Sequence, residues 1–206
     1  MKEKYGILAQ AAHKLGSHQV RNLATIGGNL CHAAPSAETA SPLIALGASV
    51  KLRSVGGERS MLLEEFFKGP GKTALQAGEV LTEIQIPNSL PRTAGVYIKH
   101  SIRKAMDLAI VGVAVVVTGG EGNGICSDVK IALGAVAPTP IRAKQAEATV
   151  RGKKVEDVLI EEAAQIASKE AKPISDVRAS AEYREEMVKV LTKRAFTQAW
   201  ELSRVV

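Results

Sequence analysis

The residues best suited to hold a ligand lie in one run, Arg21-Asn22-Leu23-Ala24-Thr25-Ile26-Gly27-Gly28-Asn29-Leu30-Cys31-His32-Ala33-Ala34-Pro35-Ser36-Ala37-Glu38-Thr39. Two adjacent glycines let backbone N–H groups come close to a ligand and turn successive amides to one side, which suits an anionic or polar cofactor. Asn29 offers a donor and an acceptor together, and Glu38 can accept hydrogen bonds from sugar-alcohol hydroxyls. A helix expected after Ser36 adds a dipole that favours anions at its start. On residue types alone, an ordinary tight loop ahead of a helix is the better account of the same run.

Other chemistry finds little support. Gly69-Pro70-Gly71-Lys72-Thr73 ends like a phosphate-binding P-loop, but the motif needs a glycine where this chain has Phe66, so the segment reads as a turn. The glycines from Gly119 to Gly124 sit between two strand-like runs with no helix after them, which fits a hairpin better than a dinucleotide fingerprint. His13, His18, His32 and His100 show no zinc-site spacing, and no metal site is expected. No nucleophile elbow appears, so no catalytic residue is assigned.

These groups must be positioned by elements that the periodicity outlines. Leu8, Ala11, Ala12 and Leu15 predict a helix over 3–15, stopped by Gly16; residues 20–36 read as a glycine-bearing loop. A helix over 37–46 follows, with Ser36 as its N-cap. Strands are expected over 48–55 and 79–86, with a short helix at 62–67 between them. The proline-bearing stretch Asn88 to Arg92 divides residues 1–88 from 93–206. Beyond it, 95–102, 108–118 and 125–135 predict an antiparallel meander, and after Pro138 and Pro140 the period turns helical over 142–150, 155–172 and 181–202. The fold class is α+β, a three-stranded antiparallel sheet packed on a helical cluster.

With 206 residues, 46% of them apolar, the chain can bury one substantial core or two small ones. No run reaches the roughly eighteen apolar residues of a membrane span, and Met1-Lys2-Glu3-Lys4 does not open a signal peptide, so a cytoplasmic protein is expected. Cys31 and Cys126 lie in unlike contexts and predict no disulfide; two thiols are also too few for an iron–sulfur cluster. The net charge of +6 is spread among acids, as in Glu182-Tyr183-Arg184-Glu185-Glu186, and only 3% of residues are aromatic, so nucleic acid is not an expected partner.

Thr25-Ile26-Gly27-Gly28-Asn29, preceded by Arg21-Asn22 and followed by the acid at 38, resembles the second flavin-binding motif of molybdenum hydroxylase FAD subunits. That family includes carbon monoxide dehydrogenase medium subunits and the flavin segment of xanthine dehydrogenase. The resemblance continues through Gly69 to Thr73, Gly78-Glu79-Val80-Leu81, Ile86-Pro87, Arg103-Lys104-Ala105-Met106-Asp107-Leu108-Ala109, Leu133 to Pro140 and Arg178 to Arg184, and so covers essentially the whole chain. Two departures stand out: Glu38 replaces the family's usual Asp, and the family's Ala-Gly-Gly-Thr-type pyrophosphate loop, which belongs to an N-terminal lobe expected ahead of Met1, is absent from these residues.

The resemblance implies a partial flavin-binding lobe of the PCMH type followed by a carbon monoxide dehydrogenase flavoprotein type domain. It also implies an oxidoreductase subunit that relays electrons through FAD from an iron–sulfur subunit to an external acceptor, while a molybdopterin-bearing large subunit oxidises the substrate. Thr25, Ile26, Gly27, Gly28 and Asn29 are then expected to touch FAD, and Glu38 to hold ribityl or phosphate oxygens. Leu81 would pack beside the flavin, and Lys99 would lie near its ring as a cation; on residue type alone Lys99 equally fits a strand-end lysine reaching solvent. Arg178, Tyr183 and Arg184 match a family signature, but their place at a helix start suits capping and inter-helix contacts. The chain alone is expected to bind FAD weakly or not at all, acquiring it only with a separate N-terminal lobe or its equivalent, and to self-associate or depend on partners. The alternative is a scaffold or assembly protein that kept the fold and lost FAD.

Overall fold

The computed structural model describes residues 5–120 and 124–205. The first helix is α1 (Gly6–His13), which buries Ile7, Leu8 and Ala11; of the expected span 3–15, residues 3 and 4 lie outside the described residues. Gly16 follows in the left-handed region, φ +48°, where a side chain would strain the turn.

The segment expected as a loop, 20–36, is largely helical: α2 (His18–Leu23) and α3 (Ile26–His32) occupy most of it. A glycine pair costs a helix about 1 kcal/mol per residue, but Thr25 caps α3 by accepting the Gly28 N–H at 2.9 Å, and Leu30 is fully buried. Burial and capping together outweigh propensity. The next helix, α4 (Ala40–Ala45), begins later than expected and is not capped by Ser36. Thr39 stands at its N-cap but makes no cap bond, because its hydroxyl donates to the Asn29 Oδ1 instead.

A first sheet follows, with β1 (Ser49–Ser54) between β2 (Gly57–Leu62) and, later in the chain, a third strand. Between them come α5 (Leu63–Phe66), β3 (Phe67–Gly69) and β4 (Lys72–Thr73). The P-loop look-alike is the turn joining β3 to β4; Gly71 takes φ +67°, and its N–H donates to the Ala33 oxygen at 3.0 Å. The third strand, β5 (Val80–Gln85), pairs antiparallel with β1.

The three runs expected as a meander are β6 (Thr93–His100), β7 (Val111–Gly119) and β8 (Cys126–Gly134), to which β9 (Ile141–Arg142) adds a short fourth strand, all antiparallel in that order. The hairpin expected at Gly119 to Gly124 has its tip, 121–123, outside the described residues; on its flanks Gly119 pairs with Cys126. Then come α6 (Lys144–Val150), α7 (Asp157–Glu170) and α8 (Ala181–Ser203).

Helices cover both faces of this sheet. Val111, Val113, Val115 and Val117 share a core with Val188, Leu191 and Phe196 of α8 and Ala163 and Ala167 of α7. Ala114 and Val116, with Tyr97 and Ala132, share the other core with Ile7 of α1 and with Leu43 and Ile44 of α4. Alternate residues of one strand therefore serve two cores, which is why β7 is apolar at nearly every position. Gly95 lets α1 lie close on the sheet, since a Cβ there would stand 3.1 Å from the Ile7 side chain.

Candidate functional site

The residues singled out from the sequence are linked by contacts from one element to the next, and only some of them line a common cleft. Thr25 to Asn29 form the cap and first turn of α3, where a Cβ built on Gly27 would lie 3.8 Å from Leu81 Cδ2 on β5. Asn29 reaches the start of α4: its Oδ1 accepts from the Thr39 N–H at 3.3 Å and from the Thr39 hydroxyl. Because an N–H can only donate, this fixes which way the Asn29 amide points, and its NH₂ is the group left to offer a ligand. Beside Thr39, Glu38 accepts from Lys99 Nζ at 2.9 Å, with side-chain exposures of 8% and 6% respectively.

Glu38 and Lys99 therefore differ from the picture drawn from residue types. Glu38 is not an open acceptor: one of its oxygens is committed to a buried ion pair. Lys99 does not extend from a strand end into water; its three donors go to Glu38, to the Asp107 oxygen at 2.7 Å and to the Lys14 oxygen at 3.1 Å.

A cleft of about 350 Å³ opens over this cluster. Leu15, Gly16, Ser17 and Val20 line one side, Asn29 and Glu38 a second, and Met106, Asp107 and Leu108 a third. Thr25, Ile26 and Thr39 line a smaller recess with Leu15 and Arg21. The electrostatics are mixed: burial and the nearby Lys99 charge lower the Lys14 pKa, while burial and then the Glu38 charge push the Tyr97 phenol well above its usual range. Asp107 is held below the usual carboxylate range mainly by the Arg103 N–H, which donates to it at 2.8 Å. Leu108 also lines a second cleft of about 290 Å³ bounded by Lys172, Asp176, Arg178 and Arg184.

Residues 1–89 match the FAD binding domain in molybdopterin dehydrogenase, and residues 96–199 match the CO dehydrogenase flavoprotein C-terminal domain. The chain is 40% identical over 198 residues to the glyceraldehyde dehydrogenase medium chain of Sulfolobus acidocaldarius, covering 96% of this chain and 69% of that one. The chain belongs to the FAD-binding medium-subunit family of the molybdenum hydroxylases.

Other members agree. The xanthine dehydrogenase FAD-binding subunit of Escherichia coli O157:H7 is 33% identical, over 93% of this chain and 65% of that one. A solved structure of carbon monoxide dehydrogenase from Hydrogenophaga pseudoflava, in a form lacking the Mo-pyranopterin moiety of the molybdenum cofactor, matches with a TM-score of 0.93 at 34% identity, over 98% of this chain and 69% of that chain. This chain thus spans about two thirds of the length of the family members it matches. These relatives are dehydrogenase subunits, so the family is one of oxidoreductase components, and the expected α+β fold of its members is the one observed. Among the described residues, no helix is long and apolar enough to cross a membrane, and no group of three or more His, Cys, Asp or Glu is placed to hold a metal.

Reasoning from sequence missed Thr39, Asp107 and Lys14. Thr39 ended the quoted run, but its grip on Asn29 joins two elements that only the fold brings together. Asp107 and Lys14 act on Lys99 through main-chain oxygens, which leave no mark on residue type. Arg184, expected to serve capping and inter-helix contacts, is buried and donates instead to strand ends and the preceding turn: to the Ile110 oxygen at 2.7 Å, the Ala135 oxygen at 3.1 Å and Asp176 at 2.8 Å.

Proposed function

We propose that this chain forms one side of an FAD site in a molybdenum hydroxylase and serves there as an electron-transfer component. The observation that carries this reading is a chain of contacts across two matched family regions: Asn29 and Glu38 line one cleft, Lys99 pairs with Glu38 behind it, Thr25 and Ile26 line the neighbouring recess, and Gly27 lies beside Leu81. We further take residues 1–88 as the main FAD-contacting unit and 93–206 as the unit whose first strand supplies Lys99.

The groups present suit such a ligand. Gly27 presents bare backbone beside Leu81, which this reading takes as a flank of the flavin, and the Asn29 NH₂ is a donor aimed by Thr39. The Glu38 oxygen not bound to Lys99 remains an acceptor for ribityl hydroxyls. Leu15 and Leu108 add apolar surface to the walls of the cleft. When bound, FAD supplies a store for two electrons, accepting them from an iron–sulfur subunit and passing them to an external acceptor. The molybdenum-cofactor subunit and the iron–sulfur subunit are the partners this reading requires, in the cytoplasm.

The sequence contains no Ala-Gly-Gly-Thr run to grip the pyrophosphate from a second side. Each missing charge-assisted contact removes about 1.5–3 kcal/mol, so the 206-residue chain by itself should bind FAD with a Kd weaker than about 1 μM. Fluorescence titration of the purified chain and of Asn29→Ala with FAD tests the reading. Weak binding that is further reduced by Asn29→Ala is expected. Binding indifferent to that change overturns the site, and submicromolar affinity overturns the need for a second lobe.

A further inference from the structure

We propose that Lys99 is a positioning residue that fastens the three walls of the cleft to one another and leaves no free charge facing a ligand. For the identity of the ligand this rests on the FAD reading above; the fastening itself is a property of the chain.

An ammonium group has three N–H donors and no acceptor. In Lys99 all three are spent, at 2.7, 2.9 and 3.1 Å, on the Asp107 oxygen, the Glu38 carboxylate and the Lys14 oxygen. Each acceptor stands in or next to a different wall. Lys14 immediately precedes Leu15, Glu38 is itself a wall residue, and Asp107 lies between Met106 and Leu108. One side chain thus ties the end of α1, the approach to α4 and the irregular segment after β6.

That last segment needs holding. Residues 101–108 form no helix or strand, and Met106 sits at φ +54°, a conformation that costs a non-glycine residue about 1 kcal/mol or more. Within the segment the Asp107 carboxylate accepts from the N–H groups of Arg103 and Leu108, and the Met106 N–H donates to the Gly16 oxygen of the facing wall at 3.1 Å. Lys99 adds a side-chain link from the middle of this segment, at Asp107, to strand β6 of the sheet that carries it. Its charge is met by Glu38, itself buried, so a ligand in the cleft faces the field of a paired dipole, which falls off faster with distance than that of a bare cation.

The test compares wild type, Lys99→Met and the double variant Glu38→Gln/Lys99→Met. The double variant removes the carboxylate that the single change would strand, and so keeps the chain folded. Hydrogen exchange at the Arg103, Met106 and Leu108 amides is measured without FAD, followed by FAD titration. The proposal expects both variants to exchange faster at these amides by about tenfold or more, since a charged hydrogen bond is lost. It also expects the double variant to recover thermal stability without recovering FAD affinity. Wild-type exchange at these amides overturns the proposal, whatever FAD does. Faster exchange with unchanged FAD affinity leaves the fastening in place and overturns the FAD reading of the cleft.

Discussion

Gly27 shows how one position can separate folding from binding. It lies in the first turn of α3 with ordinary helical backbone, and a Cβ there meets nothing closer than Leu81 at 3.8 Å. Gly27→Ala should therefore stabilise the protein by about 0.5 kcal/mol, a rise in Tm of about 1–2 °C, because alanine loses less backbone freedom on folding. The same methyl enters the space beside Leu81, so FAD affinity should fall; a titration matching wild type would show that the ligand does not use this face. The thiols differ in a similar way. Burial pushes Cys126 up to about 12 and leaves none of it exposed, whereas Cys31 is only partly buried, so iodoacetamide at about pH 8 should modify Cys31 in the native protein and spare Cys126 until it unfolds. The residue types proposed to face the ligand, Thr25, Gly27, Gly28, Asn29 and Glu38, could be read from the chain. Their setting could not, since two glycines in a row look like a loop until the Thr25 cap and the burial of Leu30 are known.

Among the elements, α8 depends on the turn that precedes it. Asp176 accepts from the Arg178 and Ala179 N–H groups and from Arg184, whose guanidinium reaches back to the ends of β7 and β8. The Arg178 N–H, with help from Arg184, holds the Asp176 carboxyl down at about 2. A depressed folded pKa means that this carboxylate stabilises the protein above its unfolded value of about 4, and that the contribution is lost as pH falls through about 2. The Tm difference between wild type and Asp176→Asn should thus be level above about pH 4 and narrow below it; a gap that widens on acidification would contradict the assignment. The long helices and the three long strands of the second sheet could be placed from their periods. β2 could not, because as an exposed edge strand carrying Glu58, Arg59 and Ser60 it shows none of the apolar alternation that marks a half-buried strand.

Taken as a whole, the chain matches two family regions but cannot be cut cleanly between its cores. Val113, Val115 and Val117 belong to one core, while Ala114 and Val116, on the same strand, belong to the other. Loss of either core should therefore release both. Leu43→Ala, in the core shared by α1 and α4, should cost about 2–5 kcal/mol and shift the unfolding midpoint of Trp200 fluorescence on the opposite side of the sheet by as much as that of the far-ultraviolet signal. Two separated midpoints would mean independent units. The two-sided burial of β7 also sets a condition on how the protein is made. Its valines leave the ribosome about 60 residues ahead of α8, which covers one of their faces, a delay of roughly 3–12 s at ordinary elongation rates. For that interval the growing chain carries a bare β-prone ribbon, so a pause in translation between the strand and its last helix would favour aggregation of a sequence that is entirely capable of folding.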